Sequence, residues 1–215
     1  MQIAILLFDR FTALDAVGPY EILGRTPGAR TVFVAERTGP VANDQGSLSL
    51  VAGRTLAEVP RPDVVVVPGG PGQGAQMENE AVLGWLRAVD ATTTWTTSVC
   101  TGSLLLAAAG LLAGRRATTH WLSLDRLAGL GAVPTGERVV FDGKYVTAAG
   151  VSSGIDMGLG LLGRIAGDRV AQSVQLMTEY DPQPPYDAGS PEKAPADLVA
   201  EFRAKWRPPV TTPSS

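Results

Sequence analysis

The chain has 215 residues and a net charge of −3, with 18 Lys and Arg against 21 Asp and Glu. That length suits one ordinary α/β domain, which buries roughly 70–75% of its unfolded surface and folds without staples. One cysteine and one histidine exclude disulfides and thiolate-cluster metal sites, and dispersed charges without a basic stripe exclude a nucleic-acid footprint.

The first apolar run, Ile3–Phe8, meets Asp9 at once and follows no charged segment, so it reads as a buried strand and not a signal peptide. Asp15 to Leu23 reads as a helix, with Pro19 tolerable near its first turn. Thr31–Ala35 and Asp63–Val67 are the next central strands, the second stopped by Pro68 and a glycine-rich turn. Asn79 caps a helix to about Asp90, and Thr94–Val99 is a further strand. After Cys100 the run LLLAAAGLLAG is helical until Gly110 or Gly114.

Val139–Phe141 and Tyr145–Ala148, joined by Asp142-Gly143, form a hairpin with a primed turn. Ser152 or Ser153 caps a long helix through Ile165, and another helix runs from Arg169 to about Thr178. Residues 181–195 are too rich in Pro and Gly for regular structure, and could form a surface wrap or a linker to the helix Ala196–Trp206. The expected domain is 1–207, with a disordered tail over 208–215. Strands alternating with helices predict an α/β fold with a mostly parallel sheet. No apolar run approaches the ~18–20 residues of a membrane span, and a lone cysteine suits a reducing cytoplasm. The expected location is cytoplasmic, with no membrane partner.

The strongest chemical signal is TTSVCTGSLLLAAAG, where a β-branched strand runs into Cys100 and small residues open a helix. Such a turn holds a nucleophile above the sheet edge in a strained conformation. The helix N-terminus behind it would lower the thiol pKa, and thiolate is the reactive form. A buried, inert cysteine is the alternative. PGGPGQG, Pro68 to Gly74, lacks the Gly-Lys-Ser/Thr ending of a phosphate loop, and no helix is expected directly after it. Its amides could hold an oxyanion, or it could be a plain tight turn. Asp15 is either a first-turn acid favoured by the helix dipole or a carboxyl facing the thiol. His120, in ATTHW, is read as a structural histidine at a strand end, and a Cys-His-acid hydrolase has little support.

In this order, LDAVGPYE around Asp15, VPGGPGQGA at Pro68–Ala75, SVCTGSLLLAAAGLL at Cys100, GRRATTHW at Gly114–Trp121, VSSGIDMGL and YDPQPPYDAGSP resemble the ThiJ/PfpI superfamily. The resemblance runs from the first strand to about Trp206, and its closest form looks like the isocyanide hydratases. It implies a flavodoxin-like sandwich with helices on both faces and the cysteine on a nucleophile elbow. It also implies Cys100 as nucleophile and Asp15 as its carboxylic partner, where many relatives have glutamate. Thr101 matches the residue after the nucleophile, where proteolytic relatives carry histidine, and Gly70 the glycine whose N–H faces the reacting centre. The implied reaction adds water to an isonitrile through a thioimidate on Cys100, giving an N-substituted formamide with no cofactor and no metal. A homodimer is implied as well. The rival readings are a ligand-binding module, as in AraC-type regulators, or a cysteine oxidation sensor. Only about ten residues follow the last helix, too few for a helix-turn-helix half, so a free-standing enzyme is expected.

Overall fold

The computed structural model describes residues 1–206. Met1–Thr178 forms one compact unit, and the described residues from Glu179 onward form another. The expected tail over 208–215 lies outside the described residues.

In the first unit the chain runs through β1 (Gln2–Leu6), α1 (Ala13–Leu23), β2 (Arg30–Ala35), β3 (Gly39–Ala42), β4 (Ser49–Ala52), β5 (Arg54–Thr55) and β6 (Val64–Val67). It continues with α2 (Gln73–Gln76), α3 (Glu80–Asp90), β7 (Trp95–Val99), α4 (Gly102–Ala108), β8 (Arg116–Ala117), α5 (Leu124–Gly129) and β9 (Val133–Pro134). The hairpin β10 (Val139–Asp142) and β11 (Tyr145–Ala148) leads to α6 (Ser153–Ala166) and α7 (Asp168–Met177). Among the described residues the central sheet has seven strands in the order β10-β11-β7-β6-β1-β2-β5. Every neighbouring pair is parallel except β10–β11. This is the flavodoxin-like α/β architecture, a mostly parallel sheet enclosed by helices.

The most apolar runs occupy the middle. All four valines of β6 and Ile3 to Leu6 of β1 are fully buried. Each Val, Ile or Leu among them gains about 1.5–3 kcal/mol over an exposed one, so a strand covered on both faces must be apolar throughout. Strand order reverses between β1 and β6, because β2 lies on one side of β1 while β6, β7 and β11 succeed one another on the other. Loops leaving the carboxyl ends diverge at that point and open a crevice.

Several local expectations change. The first strand ends at Leu6 and not Phe8, because the chain peels away and turns at Arg10, whose φ is 61°. Pro19 lies inside α1 rather than near its first turn, and so removes the helical partner of the Asp15 carbonyl. Its ring rests on α6: a Cβ on Gly154 would lie 3.2 Å from Pro19 Cδ, and one on Gly158 3.0 Å from Ile22 Cβ. α4 closes at Gly110, φ 81°, with Leu111 N–H bonded back to Leu106 O at 3.0 Å. Asp142 pairs with Tyr145, so the tight turn is Gly143-Lys144 and not Asp142-Gly143. Only Gly143 has positive φ, 61°, as a II′ turn requires. Features not foreseen include the separate hairpin β3–β4, the short parallel pair β8–β9, the edge strand β5 and the helix α5.

In the second unit, residues 181–195 carry no regular element and are largely exposed, and α8 (Ala196–Lys205) follows.

Candidate active site

Three segments meet where the strand order reverses. The first is the elbow. Cys100 follows β7 directly and takes φ 57°, a region that side-chain-bearing residues rarely occupy. Its N–H donates to Ala148 O (3.0 Å) and Ala149 O (2.8 Å). Its carbonyl accepts from Thr119 Oγ1 (3.0 Å) and Ser103 Oγ (3.3 Å). These four bonds over-determine the strained residue. Gly102 has no side chain because a Cβ there would strike the Val67 and Pro68 carbonyls, so α4 starts in backbone contact with β6.

The second segment is the turn after β6. Gly70 has φ 134°, and a Cβ on it would stand 2.5 Å from Thr12 N and 2.6 Å from Arg10 O. Gly69 N–H donates to Asp15 Oδ2 at 2.9 Å, and Gly69 O accepts from Thr12 N–H at 2.9 Å. Gly70 N–H donates to Thr101 Oγ1 at 3.1 Å. The amide expected to face the reacting centre is therefore occupied by a hydroxyl. The one-turn helix α2 begins at Gln73, within a segment from which no helix was expected to start directly.

The third segment is the start of α1. Asp15 is completely buried, so it is not a solvated first-turn acid. Oδ2 holds the Gly69 amide, while Oδ1 is buried with no hydrogen-bond partner at standard geometry. The Cys100 thiol lies against this carboxyl, and each group shifts the other. Burial drives Asp15 up to about 7, the Gly69 N–H and the thiol pull it back, and the charge of Asp44 raises it again. Burial also pushes the thiol well above its ordinary range, and the Asp15 charge adds to the rise. The Thr101 amide and hydroxyl oppose both effects by bonding the sulfur. The expected depression by the helix end is overturned: α4 has seven residues, and desolvation of a charge outweighs so short a dipole.

The structure thus gathers Cys100, Asp15, Thr101 and Gly70 in one place. The arrangement is chemically clear: a thiol beside a carboxyl that exchanges its proton near neutral pH, with donors on the sulfur. His120 precedes a 3₁₀ turn, Trp121–Ser123, and does not end a strand. Its Nδ1 accepts from Leu122 N–H at 3.4 Å, and burial lowers its pKa, which keeps the ring neutral. Sequence reasoning missed Gly69, one residue from Gly70, and Thr119, one residue before the histidine that drew attention. It also missed Asp44, which accepts from Thr12 Oγ1 at 2.9 Å. Asp44 lies between two strands with no clear sequence signal. Among the described residues, no three His, Cys, Asp or Glu side chains gather as a metal-ligand set, and no helix is long and apolar enough to cross a membrane.

Residues 1–164 match the model of the DJ-1/PfpI family. The chain is 45% identical over 208 residues to the isonitrile hydratase of Pseudomonas putida, covering 97% of this chain and 91% of that protein. It is 29% identical to the HTH-type transcriptional regulator CdhR of Pseudomonas aeruginosa, covering 81% of this chain and 55% of the regulator. A crystal structure of a THiJ/PfpI family protein from Pseudomonas syringae superposes with a TM-score of 0.92 at 40% identity, covering 94% of this chain and 84% of that one. The elbow, the glycine turn and the overall likeness agree, and the chain belongs to the DJ-1/PfpI family.

Proposed function

We propose that this protein is an isonitrile hydratase, a hydro-lyase that adds water to R–NC and releases R–NH–CHO, with Cys100 as nucleophile. The supporting observation is a buried thiol–carboxyl pair in a chain 45% identical to an isonitrile hydratase over 97% of its length.

The proposed reaction runs in two halves. The pair first loses one proton near neutral pH, leaving one proton shared between Asp15 and Cys100. Sulfur then bonds to the terminal isonitrile carbon while the shared proton passes through Asp15 to that same carbon. This gives the thioimidate R–N=CH–S, with sulfur on Cys100. Asp15, now a carboxylate, takes a proton from water as the oxygen adds to the C=N carbon and passes it to the nitrogen, giving R–NH–CH(OH)–S on Cys100. Asp15 then takes the hydroxyl proton as the C=O forms and the C–S bond breaks, and thiolate leaves with the Thr101 amide and hydroxyl on it, which restores the pair with its one proton. Atoms balance as R–NC plus water. The proton inventory needs one group that titrates close to working pH, and Asp15 supplies it.

The reading includes no redox or metal cofactor, a small-molecule isonitrile as the partner, a cytoplasmic location and a homodimer. It is tested by following formamide from a simple alkyl or aryl isonitrile with purified protein and no added cofactor. Steady turnover is expected, and Cys100→Ser is expected to abolish it, because serine is far less nucleophilic near neutral pH. No turnover across varied isonitriles would overturn the reading in favour of a ligand-binding or oxidation-sensing protein.

A further inference from the structure

Thr12 stands at the N-cap of α1, a position where a threonine hydroxyl ordinarily accepts from the first helical turn. Here it makes no capping bond. It turns outward and donates to Asp44 Oδ2 at 2.9 Å. Asp44 belongs to the loop between β3 and β4, and that loop is stitched to the chain entering α1. Asp44 N–H donates to Phe11 O (2.9 Å), Phe11 bridges Asn43, and Arg10 N–H donates to Ala42 O (3.0 Å). The other Asp44 oxygen accepts from Asn43 Nδ2 at 3.3 Å. Thr12 is itself bonded on its far side to the active-site turn, its N–H on Gly69 O. A hairpin outside the central sheet thereby delivers a half-buried carboxylate to the segment that carries Asp15.

Resting on the hydratase reading, we propose that Asp44 is a positioning residue for Asp15, holding Thr12 and the glycine turn in place and bringing a negative charge to the segment that carries the buried carboxyl. The groups acting on Asp15 fit this role. The thiol faces it from the elbow, the Gly69 N–H from the turn and Asp44 from the hairpin loop. Glu21 of α1 is paired with Arg25, and Asp156 of α6, the helix on which α1 rests, is paired with Arg138. Burial does most to keep the proton on Asp15, the hydrogen bonds pull it toward ionisation, and the Asp44 charge adds to the effect of burial.

Asp44→Asn separates charge from framework, because an amide oxygen can still accept the Thr12 hydroxyl. Two readouts report on the pair: the acid limb of kcat/KM for isonitrile hydration follows its first ionisation, and the pH midpoint of Cys100 alkylation by iodoacetamide follows its second. Removing a negative charge eases loss of either proton. Both midpoints should therefore move to lower pH, by about 0.3 unit or more, with the melting temperature little changed. Asp44→Glu, which keeps the charge, should leave both close to wild type. A folded Asp44→Asn protein with both midpoints unmoved would overturn the proposal, as would an Asp44→Glu protein shifted as far as the amide variant. Should the amide variant not fold, Asp44→Ser carries the same test. Alkylation needs no isonitrile, so a protein that failed to hydrate would sink the hydratase reading while leaving the role of Asp44 open to measurement.

Discussion

At Asp15 a carboxyl occupies a place where water cannot solvate its charge, and most of the chemistry follows from that. With its pKa raised to about 7, the group can donate and accept a proton at neutral pH. Asp15→Asn keeps an acceptor for the Gly69 amide but cannot move a proton. Formamide production should fall at least ~10²-fold, with Cys100 still open to alkylation. Turnover within a few-fold of wild type would remove Asp15 from the mechanism. The pH profile carries a second expectation. The pair must first lose one proton, so kcat/KM should rise through about pH 7. The thiol holds the remaining proton well into alkaline pH, so the fall should come only there. A plateau reaching down to pH 5 would point instead to a standing thiolate. Sequence pattern singled out Cys100 by its elbow, but it left Asp15 open between a first-turn acid and a partner of the thiol, and only the resemblance chose between them. The direction of the thiol shift was not legible, since burial is a sum over neighbours that no single segment states.

Among elements, the central strands were legible because four-valine and Ile-Leu runs tolerate no exposed face. The β3–β4 hairpin was not. Its strands have four residues each and are half exposed, too short for alternation to stand out, and its loop spans residues 43–48. At the amino end of the sheet, away from the elbow, Asp90 is buried at the close of α3 and ties two strands together. Tyr145 Oη donates to its Oδ2 at 2.9 Å from β11, and Thr96 Oγ1 to its Oδ1 at 2.6 Å from β7. Lys144 reaches the same carboxylate at 3.2 Å. Tyr145→Phe removes one donor from a buried charge and should cost about 1–3 kcal/mol in denaturant unfolding. Hydration per folded molecule should be unchanged, because the lesion lies at the opposite edge from Cys100. A loss of kcat without loss of stability would show that the two edges communicate.

For the whole molecule, the raised Asp15 carries a stability cost whose sign is set by linkage. The folded state holds this proton up to about pH 7, whereas an exposed aspartate releases it near 3.8. Between those values the native state binds more protons than the unfolded chain, so stability falls as pH rises, and the deficit is complete above pH 7. About three pH units correspond to a cost on the order of 4 kcal/mol. Asp15→Asn should consequently stabilise the protein, and the gain should grow by about 2 kcal/mol between pH 5.5 and pH 8 in urea unfolding. An equal gain at both pH values would mean that the carboxyl is solvated. The overall α/β class was readable from alternation of elements alone. The break after Thr178 was not, because residues 181–195 read equally well as a wrap or a linker.

The Cys100 amide is held by the carbonyls of Ala148, at the end of β11, and of Ala149 just after it, and β11 is the last strand of the central sheet to leave the ribosome. Asp15, the glycine turn and Cys100 itself are all translated earlier. A nascent chain that stops short of β11 has every reacting group yet lacks the acceptors for the Cys100 amide, so two of the four bonds that hold the strained backbone at φ 57° are missing. Full definition of the elbow thus waits on near-completion of the sheet.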